Sequence, residues 1–359
     1  MKHLSIYKDK KVFITGHTGF KGSWLVKVLS LLGARIKGYA LEPNTEPSLF
    51  NILNIEDICE ASIIGDIRDK DKLKKELIEF QPDFVFHLAA QPIVLRSYQE
   101  PLSTFETNIM GTTNLLEAIR EMNKPETYSL IITTDKIYKN IEKTYAYKEE
   151  DQLGGYDPYS ASKAGAELVV SSYRDSFFNP KDYDKHKNKI ASLRAGNVIG
   201  GGDWAENRLL PDIIRSISKD EEIIIRSPNA IRPWQHVLEP LFGYLYIGYL
   251  LSETDGFVDS LNFGPNIEDC INVESVVDMS IRIWGKGSYK AIQKQDSPHE
   301  AGLLMLDISK AKDLGWTPKW DAYTALKKTV NWYNVFYDSE SHASLDNYTI
   351  NQINSYING

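Results

Sequence analysis

The sequence contains only two cysteines, Cys59 and Cys270, and they lie far apart. Neither belongs to a Cys-x-x-Cys or Cys/His spacing, which argues against a disulfide framework, a redox dithiol or a structural zinc site. The seven histidines are scattered without paired spacing. We therefore expect no metal centre, and we expect both thiols to be buried or incidental.

Long hydrophobic runs are also missing. The longest apolar stretch, Leu241–Leu251, is too short to cross a bilayer, and the first residues lack the apolar segment of a signal peptide. The formal net charge of −8 at pH 7 argues against a general affinity for nucleic acids or anionic membranes. The sequence thus predicts a cytoplasmic protein with no nucleic acid or membrane partner, in which a local basic pocket meets any anionic substrate.

What the sequence does contain is a regular alternation of strand-like and helical segments in its first half. Strands are predicted at Lys11–Thr15, Arg35–Tyr39, Ala61–Ile64, Phe84–Leu88, Ser129–Thr133 and Ile190–Leu193, and helices at Asp71–Phe80, Thr104–Met122 and Tyr159–Phe177. This pattern is typical of an α/β protein with a Rossmann-type, doubly wound parallel sheet and right-handed crossovers.

The length of 359 residues and the composition fit an enzyme of two domains. Beyond Asn197 the elements become shorter, so we expect a smaller, mixed α/β C-terminal substrate-binding lobe. The apolar helix Leu238–Leu251 is expected to return to the first domain. The predicted nucleotide-binding domain comprises residues 1–195 and about 231–262, and the predicted substrate domain comprises about 196–230 and 263–359.

A glycine-rich loop follows the first predicted strand. Gly16, Gly19 and Gly22 form a Gly-x-x-Gly-x-x-Gly variant of the dinucleotide fingerprint and lead into an apolar-periodic helix. Such glycines permit a tight turn, a close approach of the backbone to a pyrophosphate and close helix packing, while the helix N-terminus offers N–H groups to phosphates. The spacing alone also occurs in ordinary turns, and it is the flanking strand and helix that favour nucleotide binding.

Ligands of doubly wound sheets bind beyond the carboxyl ends of the strands, where several candidate residues lie. The candidates for cofactor binding are Gly16, Thr18, Gly19, Phe20, Gly22, Asp66, Ile67, Leu88, Ala89, Ala90 and Gln91, together with Tyr159 and Lys163. One common feature is missing, because no acid closes the second strand at Ala40–Leu41 and Glu42 comes slightly late. No arginine is present there to favour a ribose phosphate, so we expect NAD rather than NADP.

Two short clusters carry the predicted chemistry. Thr134, Asp135 and Lys136 follow an apolar strand, whereas Tyr159 and Lys163 lie four residues apart on one face of a predicted helix. An ammonium beside the phenol can lower the pKa of a tyrosine from its usual value of about 10, which makes Tyr159 a candidate base. Tyr-x-x-x-Lys spacing also occurs at three other places in this chain, so the assignment depends on the nucleotide-binding half that precedes it.

The chain resembles the CDP-glucose 4,6-dehydratases, a branch of the extended short-chain dehydrogenases/reductases. The resemblance covers nearly the whole chain and rests on Gly16–Trp24, Thr134–Lys136, Tyr159–Lys163, Asn197–Asp212, Arg232–Pro240 and Pro298–Glu300. Related dTDP-glucose and GDP-mannose dehydratases carry Thr-Asp-Glu or a similar acidic triplet, whereas Lys136 agrees with the CDP-sugar branch. This family also generally lacks the second-strand acid.

The resemblance implies an internal redox cycle with CDP-glucose as the substrate and NAD as the cofactor. Oxidation at carbon 4 acidifies the proton on carbon 5, loss of that proton and of the 6-hydroxyl releases water, and hydride returns to carbon 6. The implied product is CDP-4-keto-6-deoxyglucose, and such products commonly feed deoxysugar synthesis for surface polysaccharides. A homodimer or larger homo-oligomer, built through helices Thr104–Met122 and Tyr159–Phe177, is implied as well.

The resemblance also implies a role for each catalytic candidate. Tyr159 is expected to take the proton of the 4-hydroxyl, Thr134 to bond the 4-oxygen, and Lys163 to orient the nicotinamide ribose. Asp135 is expected to protonate the departing 6-hydroxyl, and Lys136 to remove the carbon-5 proton. Lys136 has an alternative interpretation as a surface lysine paired with an acid.

The expected substrate-binding residues are Asn108, Asn197, Arg208, Arg232 and His299. Guanidinium groups suit a pyrophosphate because they offer several donors in one plane, although either arginine could instead form a salt bridge between the lobes. Asn197 is expected to support the phosphates, and His299 to lie near the nucleotide or ribose. Asn108 could help to arrange the active site or could be a buried helix-packing amide.

Other functions share part of this pattern. A nucleotide-sugar epimerase needs the same Rossmann half and Tyr/Lys pair but no acid and base for elimination, so the Thr-Asp-Lys triplet argues against it. A 4,6-dehydratase acting on dTDP-glucose or GDP-mannose is a nearer alternative. A nonenzymatic dinucleotide-binding protein has no need of a proton-transfer pair.

Overall fold

The computed structural model describes residues 2–292, 303–338 and 342–359. Its strands are β1 (Lys11–Thr15), β2 (Arg35–Ala40), β3 (Ala61–Ile64), β4 (Phe84–His87), β5 (Tyr128–Ile132), β6 (Ala146–Tyr147), β7 (Lys189–Ala195), β8 (Val198–Ile199), β9 (Ile223–Ile225), β10 (Ile231–Arg232), β11 (Gln235–His236), β12 (Ser260–Phe263), β13 (Ile271–Asn272), β14 (Tyr289–Ala291) and β15 (Met305–Leu306).

The α-helices are α1 (Phe20–Leu31), α2 (Leu49–Ile52), α3 (Ile55–Ile58), α4 (Lys70–Phe80), α5 (Val94–Gln99), α6 (Pro101–Phe105), α7 (Gly111–Met122), α8 (Pro158–Phe177), α9 (Tyr183–His186), α10 (Leu209–Ser218), α11 (Leu238–Glu253), α12 (Val273–Trp284), α13 (Ser309–Asp313), α14 (Ala322–Asp338) and α15 (His342–Asn358). Short 3₁₀ helices cover Lys2–Tyr7, Asp135–Ile137, Pro180–Asp182 and Ile267–Asp269, and a π-helix covers Glu106–Met110.

Seven strands form one parallel sheet in the order β12-β7-β5-β4-β1-β2-β3. The six predicted strands are all present, each within two residues of its predicted ends, so the predicted doubly wound α/β fold is confirmed. The chain reverses its direction of growth between β1 and β4. In sheets of this type that switch point is where ligands bind.

Apolar residues on the two faces of the sheet form separate cores. Val12 and Ile14 belong to a core that includes residues of α1 and α11, whereas Phe13 belongs to a core shared with α4 and α7. Successive strand residues point to opposite faces, so this short apolar run supplies both cores. Strand β1 is buried on both sides, including Thr15 at its carboxyl end, and the glycine loop follows directly after that end.

A smaller apolar cluster lies beyond the large sheet, where α10, α12 and α14 pack together around Ile213, Val277 and Leu326. Outside the large sheet, the described residues form four two-stranded ladders, which are β8/β11, β9/β14, β10/β13 and β6/β15. The C-terminal part is therefore mixed α/β, while the division of residues between two domains stays a prediction. Helix α11 packs against β5 and β7.

Two features of the large sheet and its helices were not predicted. Strand β12, which pairs with β7 at the edge of the sheet, was missed because Ser260–Phe263 carries only two apolar residues. The predicted helix Thr104–Met122 contains the π-helix between α6 and α7, a wider turn that is common at functional sites. This turn carries Asn108, whose contacts are described below.

Both cysteines are half-buried and free. Among the residues that the structure describes, no helix combines the length and the hydropathy that a membrane span requires. Within the same residues, no group of three or more histidine, cysteine or acidic side chains is arranged to hold a metal ion.

Candidate active site

A cleft of about 920 Å³ runs along the carboxyl edge of the large sheet and continues into the C-terminal lobe. Its lining includes every residue predicted for cofactor binding, which are Gly16, Thr18, Gly19, Phe20, Gly22, Asp66, Ile67, Leu88, Ala89, Ala90 and Gln91. It also includes the five catalytic candidates, Thr134, Asp135, Lys136, Tyr159 and Lys163. Segments that are distant in the sequence therefore meet in one cleft, while their roles remain predictions.

Glycine stands at each of the three positions of the first loop for a different structural reason. Gly16 has a φ of +81°, and a Cβ there would lie 2.7 Å from the backbone nitrogen of Ala89. A Cβ on Gly22 would collide with the carbonyl oxygen of Gly16, which shows how closely α1 packs against the turn. Gly19 instead has open space, with that carbonyl oxygen its nearest neighbour at 3.5 Å. The open space above Gly19 fits the approach of a pyrophosphate to the start of α1.

The ends of β2 and β3 form the far part of the cleft. The Tyr39 hydroxyl donates to the carbonyl oxygen of Asp66 over 2.9 Å, and the Asp66 carboxylate binds Arg68 at 2.6 Å. The hydrogen bonds from Arg68 lower the pKa of Asp66. Glu42 is exposed and lines the cleft two residues beyond the end of β2. An acid therefore does reach this region, although later in the sequence than the usual pattern places it.

Asn108 lies behind the cleft. Its Oδ1 accepts the backbone N–H of Gln91 over 2.8 Å, and its Nδ2 donates to the Gln91 carbonyl at 3.1 Å and to the Ser162 hydroxyl at 2.8 Å. The residue is 1% exposed. Asn108 therefore holds the loop after β4 against α8 and lies outside the cleft lining. Its expected contact with the substrate stays a prediction, and its bonds fit the alternative of a buried amide that arranges the site.

Thr134 and Asp135 lie at the end of β5, where Thr134 caps the short 3₁₀ helix. The Thr134 hydroxyl donates to Oδ1 of Asp135 over 3.0 Å. Asp135 is 1% exposed, and its Oδ2 is buried without a hydrogen-bond partner among the described residues. A buried carboxylate oxygen that faces a cleft without a partner is available to a substrate hydroxyl.

Helix α8 places Tyr159 and Lys163 one turn apart. Asp157 caps the helix by accepting the backbone N–H of Ser160 over 2.9 Å, and Pro158 occupies the first turn. The Lys163 ammonium donates to the carbonyl of Ile132 at 3.1 Å, which directs it to the end of β5. The capped start of α8 therefore fixes the Tyr159 and Lys163 side chains beside Thr134 and Asp135.

Burial controls the ionisation of both groups. It raises the pKa of Tyr159 to about 12, against the hydrogen bond with Thr134 and the charge of Arg208, which lower it. It also lowers the pKa of Lys163 to about 8. The expected lowering of the tyrosine pKa by Lys163 is therefore not seen in this structure, because desolvation of the phenol outweighs the charges around it.

Lys136 is half-buried and lines the cleft directly after Asp135. In the described part of the chain, no carboxylate forms an ion pair with it, in contrast to the many lysines paired on the surface. The alternative of a surface lysine paired with an acid therefore finds no support. Its position next to the reacting groups is compatible with the predicted base.

Three of the predicted substrate-binding residues face the cleft from its other side. Asn197 has a buried Oδ1 without a partner among the described residues. Arg208 donates to the Asp203 carboxylate over 2.9 Å, and Arg232, which is 4% exposed, lines the cleft from β10. The pair between Arg208 and Asp203 is local and does not bridge the lobes. His299 lies outside the described residues.

Sequence reasoning missed some residues that line the cleft. Lys21, inside the glycine loop, has its pKa lowered to about 7 by burial and by the charges of Arg208 and Lys163. Arg226 and Trp234 line the C-terminal part, where Trp234 donates from its ring to the carbonyl of Ile271 at 3.2 Å. A lysine between the second and third glycines was a usable signal, since phosphates bind at such loops. Arg226 carried no comparable motif.

Comparison with known proteins agrees with this geometry. A family model described as GDP-mannose 4,6 dehydratase matches residues 13–329. The CDP-glucose 4,6-dehydratase of Salmonella typhimurium is 49% identical over 338 residues, which make up 94% of this chain and 94% of that protein. A dTDP-glucose 4,6-dehydratase of Xanthomonas campestris is 27% identical and covers 89% of this chain and 92% of its own length.

Solved structures show the same fold. The dTDP-glucose 4,6-dehydratase of Streptomyces venezuelae, solved with NAD bound, superposes with a TM-score of 0.77 at 22% identity, covering 90% of this chain and 97% of that one. The UDP-glucose 4-epimerase of Thermotoga maritima gives a TM-score of 0.76 at 23% identity, covering 91% and 99%. Because the family model spans most of the chain and the Salmonella relative aligns over nearly its full length, the chain belongs to the GDP-mannose 4,6-dehydratase family of nucleotide-sugar dehydratases.

Proposed function

We propose that this chain is an NAD-dependent CDP-glucose 4,6-dehydratase that forms CDP-4-keto-6-deoxyglucose and water. The observation that carries the proposal is the buried Oδ2 of Asp135, which has no hydrogen-bond partner among the described residues; Asp135 lines the same cleft as Tyr159. An enzyme that only oxidises and reduces carbon 4 has no use for such an acid. The Salmonella relative at 49% identity supports CDP-glucose as the substrate.

The cofactor part of the cleft fits NAD. The N–H groups at the start of α1 and the open backbone at Gly19 suit a pyrophosphate, and Glu42 can bond a ribose hydroxyl. Lys163 can donate to the second ribose. When bound, NAD supplies the hydride acceptor for carbon 4, the hydride donor for carbon 6, and a positive ring that favours a nearby phenolate. Arg68, which lines this part of the cleft, is paired with Asp66, which agrees with NAD rather than NADP.

Tyr159 acts as the base toward the 4-hydroxyl. Its pKa of about 12 means that the phenol is protonated at neutral pH, so proton transfer depends on stabilising the phenolate. Thr134 and Arg208 already act in that direction, and Thr134 also lies where it can bond the sugar oxygen. The structure therefore holds the phenol in place, and ionisation of the phenol depends on the bound cofactor and substrate.

Asp135 and Lys136 then divide the elimination between them. The unpartnered Oδ2 of Asp135 can deliver a proton to the departing 6-hydroxyl, while Thr134 holds Oδ1 in place. Lys136 takes the proton from carbon 5. Such acid and base groups each contribute about 10²–10⁴-fold to a rate. The bond between carbon 6 and oxygen breaks, and water leaves.

The C-terminal lobe binds the nucleotide diphosphate. Arg232 and Arg208 face the cleft and offer planar donor sets to the two phosphates, and Asn197 adds a polar group between them and the reacting sugar. The proposal includes a homo-oligomer and a cytoplasmic location, as expected from the sequence.

The proposal is tested by offering the purified protein CDP-glucose, dTDP-glucose, UDP-glucose and GDP-mannose under matched conditions, with product masses measured. We expect CDP-glucose to lose one water fastest, without net consumption of NAD. A clear preference for another nucleotide would make the assigned substrate wrong. Isomerisation without loss of water would indicate an epimerase and overturn the reaction class.

A further inference from the structure

One turn beyond Lys163, on the same side of α8, lies a buried carboxylate that the reaction scheme above does not use. Glu167 is one helical turn after Lys163 and is 4% exposed. A carboxylate is costly to bury unless it is paired and hydrogen-bonded. The groups that bond Glu167 therefore indicate its role.

Glu167 accepts hydrogen bonds from the residue that follows β5 and from two residues of β7. Its Oε1 accepts the Thr133 hydroxyl over 2.5 Å and the Nε of Arg194 over 3.1 Å. Its Oε2 accepts the Ser192 hydroxyl at 2.7 Å and the Nη2 of Arg194 at 2.9 Å. Thr133 immediately precedes Thr134, and Arg194 lies near the end of β7. Glu167 therefore ties the strand ends that carry Thr134, Asp135 and Gly196 to the helix that carries Tyr159.

The pairing with Arg194 keeps this carboxylate charged. Burial opposes ionisation, but the charge and hydrogen bonds of Arg194 outweigh it and hold the pKa of Glu167 below its usual value. Arg194 is itself fixed, since it donates to the Tyr138 hydroxyl at 2.8 Å and to the Glu149 carbonyl at 2.9 Å. The ionised form of Glu167 is therefore favoured, and its carboxylate is held in place by four hydrogen bonds.

The charge of Glu167 acts on Lys163. Burial lowers the pKa of Lys163, and Glu167 is the group that opposes this effect. The other titratable groups here are Lys21 from α1, Tyr159 from the preceding turn, and His87 from β4, whose pKa is lowered to about 3. Asp135, from the turn after β5, acts on Lys21 and Tyr159.

We propose that Glu167 is a positioning residue of the reaction, which fixes the end of β5 against α8 and supplies the negative charge opposite the Lys163 ammonium. This inference rests on the proposed function for its kinetic consequences only. In the proposed reaction a protonated Lys163 donates to the cofactor ribose. Glu167 favours the protonated form of Lys163 without touching the substrate.

The effect of the Glu167 charge is tested in a double variant, Glu167→Gln with Arg194→Met. Both partners are replaced because removal of one alone would leave a buried charge without a partner. Titration of Lys163 by NMR of ¹³C-labelled lysine in the ligand-free protein should give a midpoint lower by about one pH unit or more. The high-pH limb of kcat for CDP-glucose should move to lower pH with it. A matched control, Lys37→Met with Glu76→Gln, removes a largely buried ion pair outside the cleft lining and should leave the Lys163 midpoint unchanged.

The hydrogen bond between Glu167 and the end of β5 is tested by Thr133→Val. This variant removes the Thr133 hydroxyl and leaves the charges of Glu167 and Arg194 in place. We expect kcat to fall by about tenfold or more with KM within about twofold, because the reacting groups shift while binding is kept. Thr133→Ser should restore the rate. Wild-type kcat in Thr133→Val, or a folded double variant with an unchanged Lys163 midpoint, would overturn the proposal. If the double variant does not fold, the kcat values of Thr133→Val and Thr133→Ser decide whether the proposal holds. Failure of the wild type to dehydrate CDP-glucose would remove the proposed function, while the NMR titration would still decide the role of Glu167.

Discussion

Asp135 lies directly against Gly196, so closely that a Cβ at residue 196 would come 3.2 Å from its unpartnered Oδ2. The same Cβ would lie 2.6 Å from the ring of Pro233. A side chain at this position would crowd the acid, and the glycine leaves room beside Oδ2. This relationship supports Asp135 as the group that meets the leaving hydroxyl.

Asp135→Asn separates oxidation from elimination. Asparagine keeps the size and can still accept from Thr134, but it cannot deliver a carboxylic proton, so overall turnover should fall by about 10²–10⁴-fold. Tyr159 still allows oxidation at carbon 4, so absorbance of reduced nicotinamide should build up in a single turnover. Rapid mixing with CDP-glucose measures both. An unchanged rate of product formation would remove Asp135 from the mechanism.

Lys136→Met provides a contrast to that variant. Methionine keeps the chain length and removes the amine, so exchange of the carbon-5 proton with deuterated solvent should be suppressed by about 10²-fold or more. In Asp135→Asn that exchange should persist in part. If both variants slow the first oxidation and leave elimination untouched, these residues position the sugar and the acid and base assignments are wrong.

Tyr159→Phe tests the base. Phenylalanine keeps the buried ring and removes only the hydroxyl that bonds Thr134, so the variant should fold and bind NAD with near-normal affinity. Turnover of CDP-glucose should nevertheless fall by about 10²–10⁴-fold because the positioned proton acceptor is gone. Steady-state kinetics and NAD titration measure the two effects, and near-normal turnover would contradict the assignment.

Gly19→Ala tests the cofactor site. The added methyl group enters the open space at the start of α1, so the fold should be kept while the Kd for NAD rises by at least about tenfold, or about 1.4 kcal/mol. Gly264→Ala is the control, because its Cβ would meet neighbours only at 3.7 Å or more and Gly264 lies outside the cleft lining. Equal NAD affinity in both variants would place the pyrophosphate elsewhere.

The fold should lose stability between acidic and neutral pH because of Glu239. This carboxylate is fully buried, accepts from the Tyr356 hydroxyl at 2.7 Å and from the backbone N–H of Trp320 at 2.8 Å, and burial raises its pKa from 4.5 to about 7. Between those two values the folded state holds a proton that the unfolded state releases. Stability therefore falls as pH rises through this window, by up to about 3 kcal/mol.

Glu239→Gln removes that ionisation and keeps an acceptor. Relative to wild type, the variant should gain in free energy of unfolding between pH 5 and pH 8, as measured by urea titration. Glu79→Gln, on an exposed face of α4, should change little over the same range. A constant difference between Glu239→Gln and wild type would show that Glu239 ionises normally.

The sequence was sufficient to predict six of the seven strands of the large sheet and the candidates along its carboxyl edge. Gly16 and Thr134 were found because turns after buried strands leave local signals, namely glycines and polar residues that follow apolar runs. These signals need no knowledge of distant contacts. Strand β12 was missed because its four residues carry too little apolar pattern to stand out.

The electrostatics of the site could not be predicted in the same way. The raised pKa of Tyr159 depends on how many atoms cover the phenol, and the pairing of Arg208 with Asp203 depends on the path of the loop before α10. The buried bonds of Asn108 likewise depend on two segments far from it in sequence. Tertiary burial, rather than spacing, decides these properties.

The most direct test of the internal redox cycle follows one hydrogen atom. CDP-glucose carrying deuterium at carbon 4 is converted by the wild-type protein, and the product is analysed by NMR and mass spectrometry. The account predicts that deuterium appears at carbon 6 of the 4-keto product, because one cofactor takes and returns it within a single cleft. Deuterium lost to solvent, or retained on released cofactor, would contradict it.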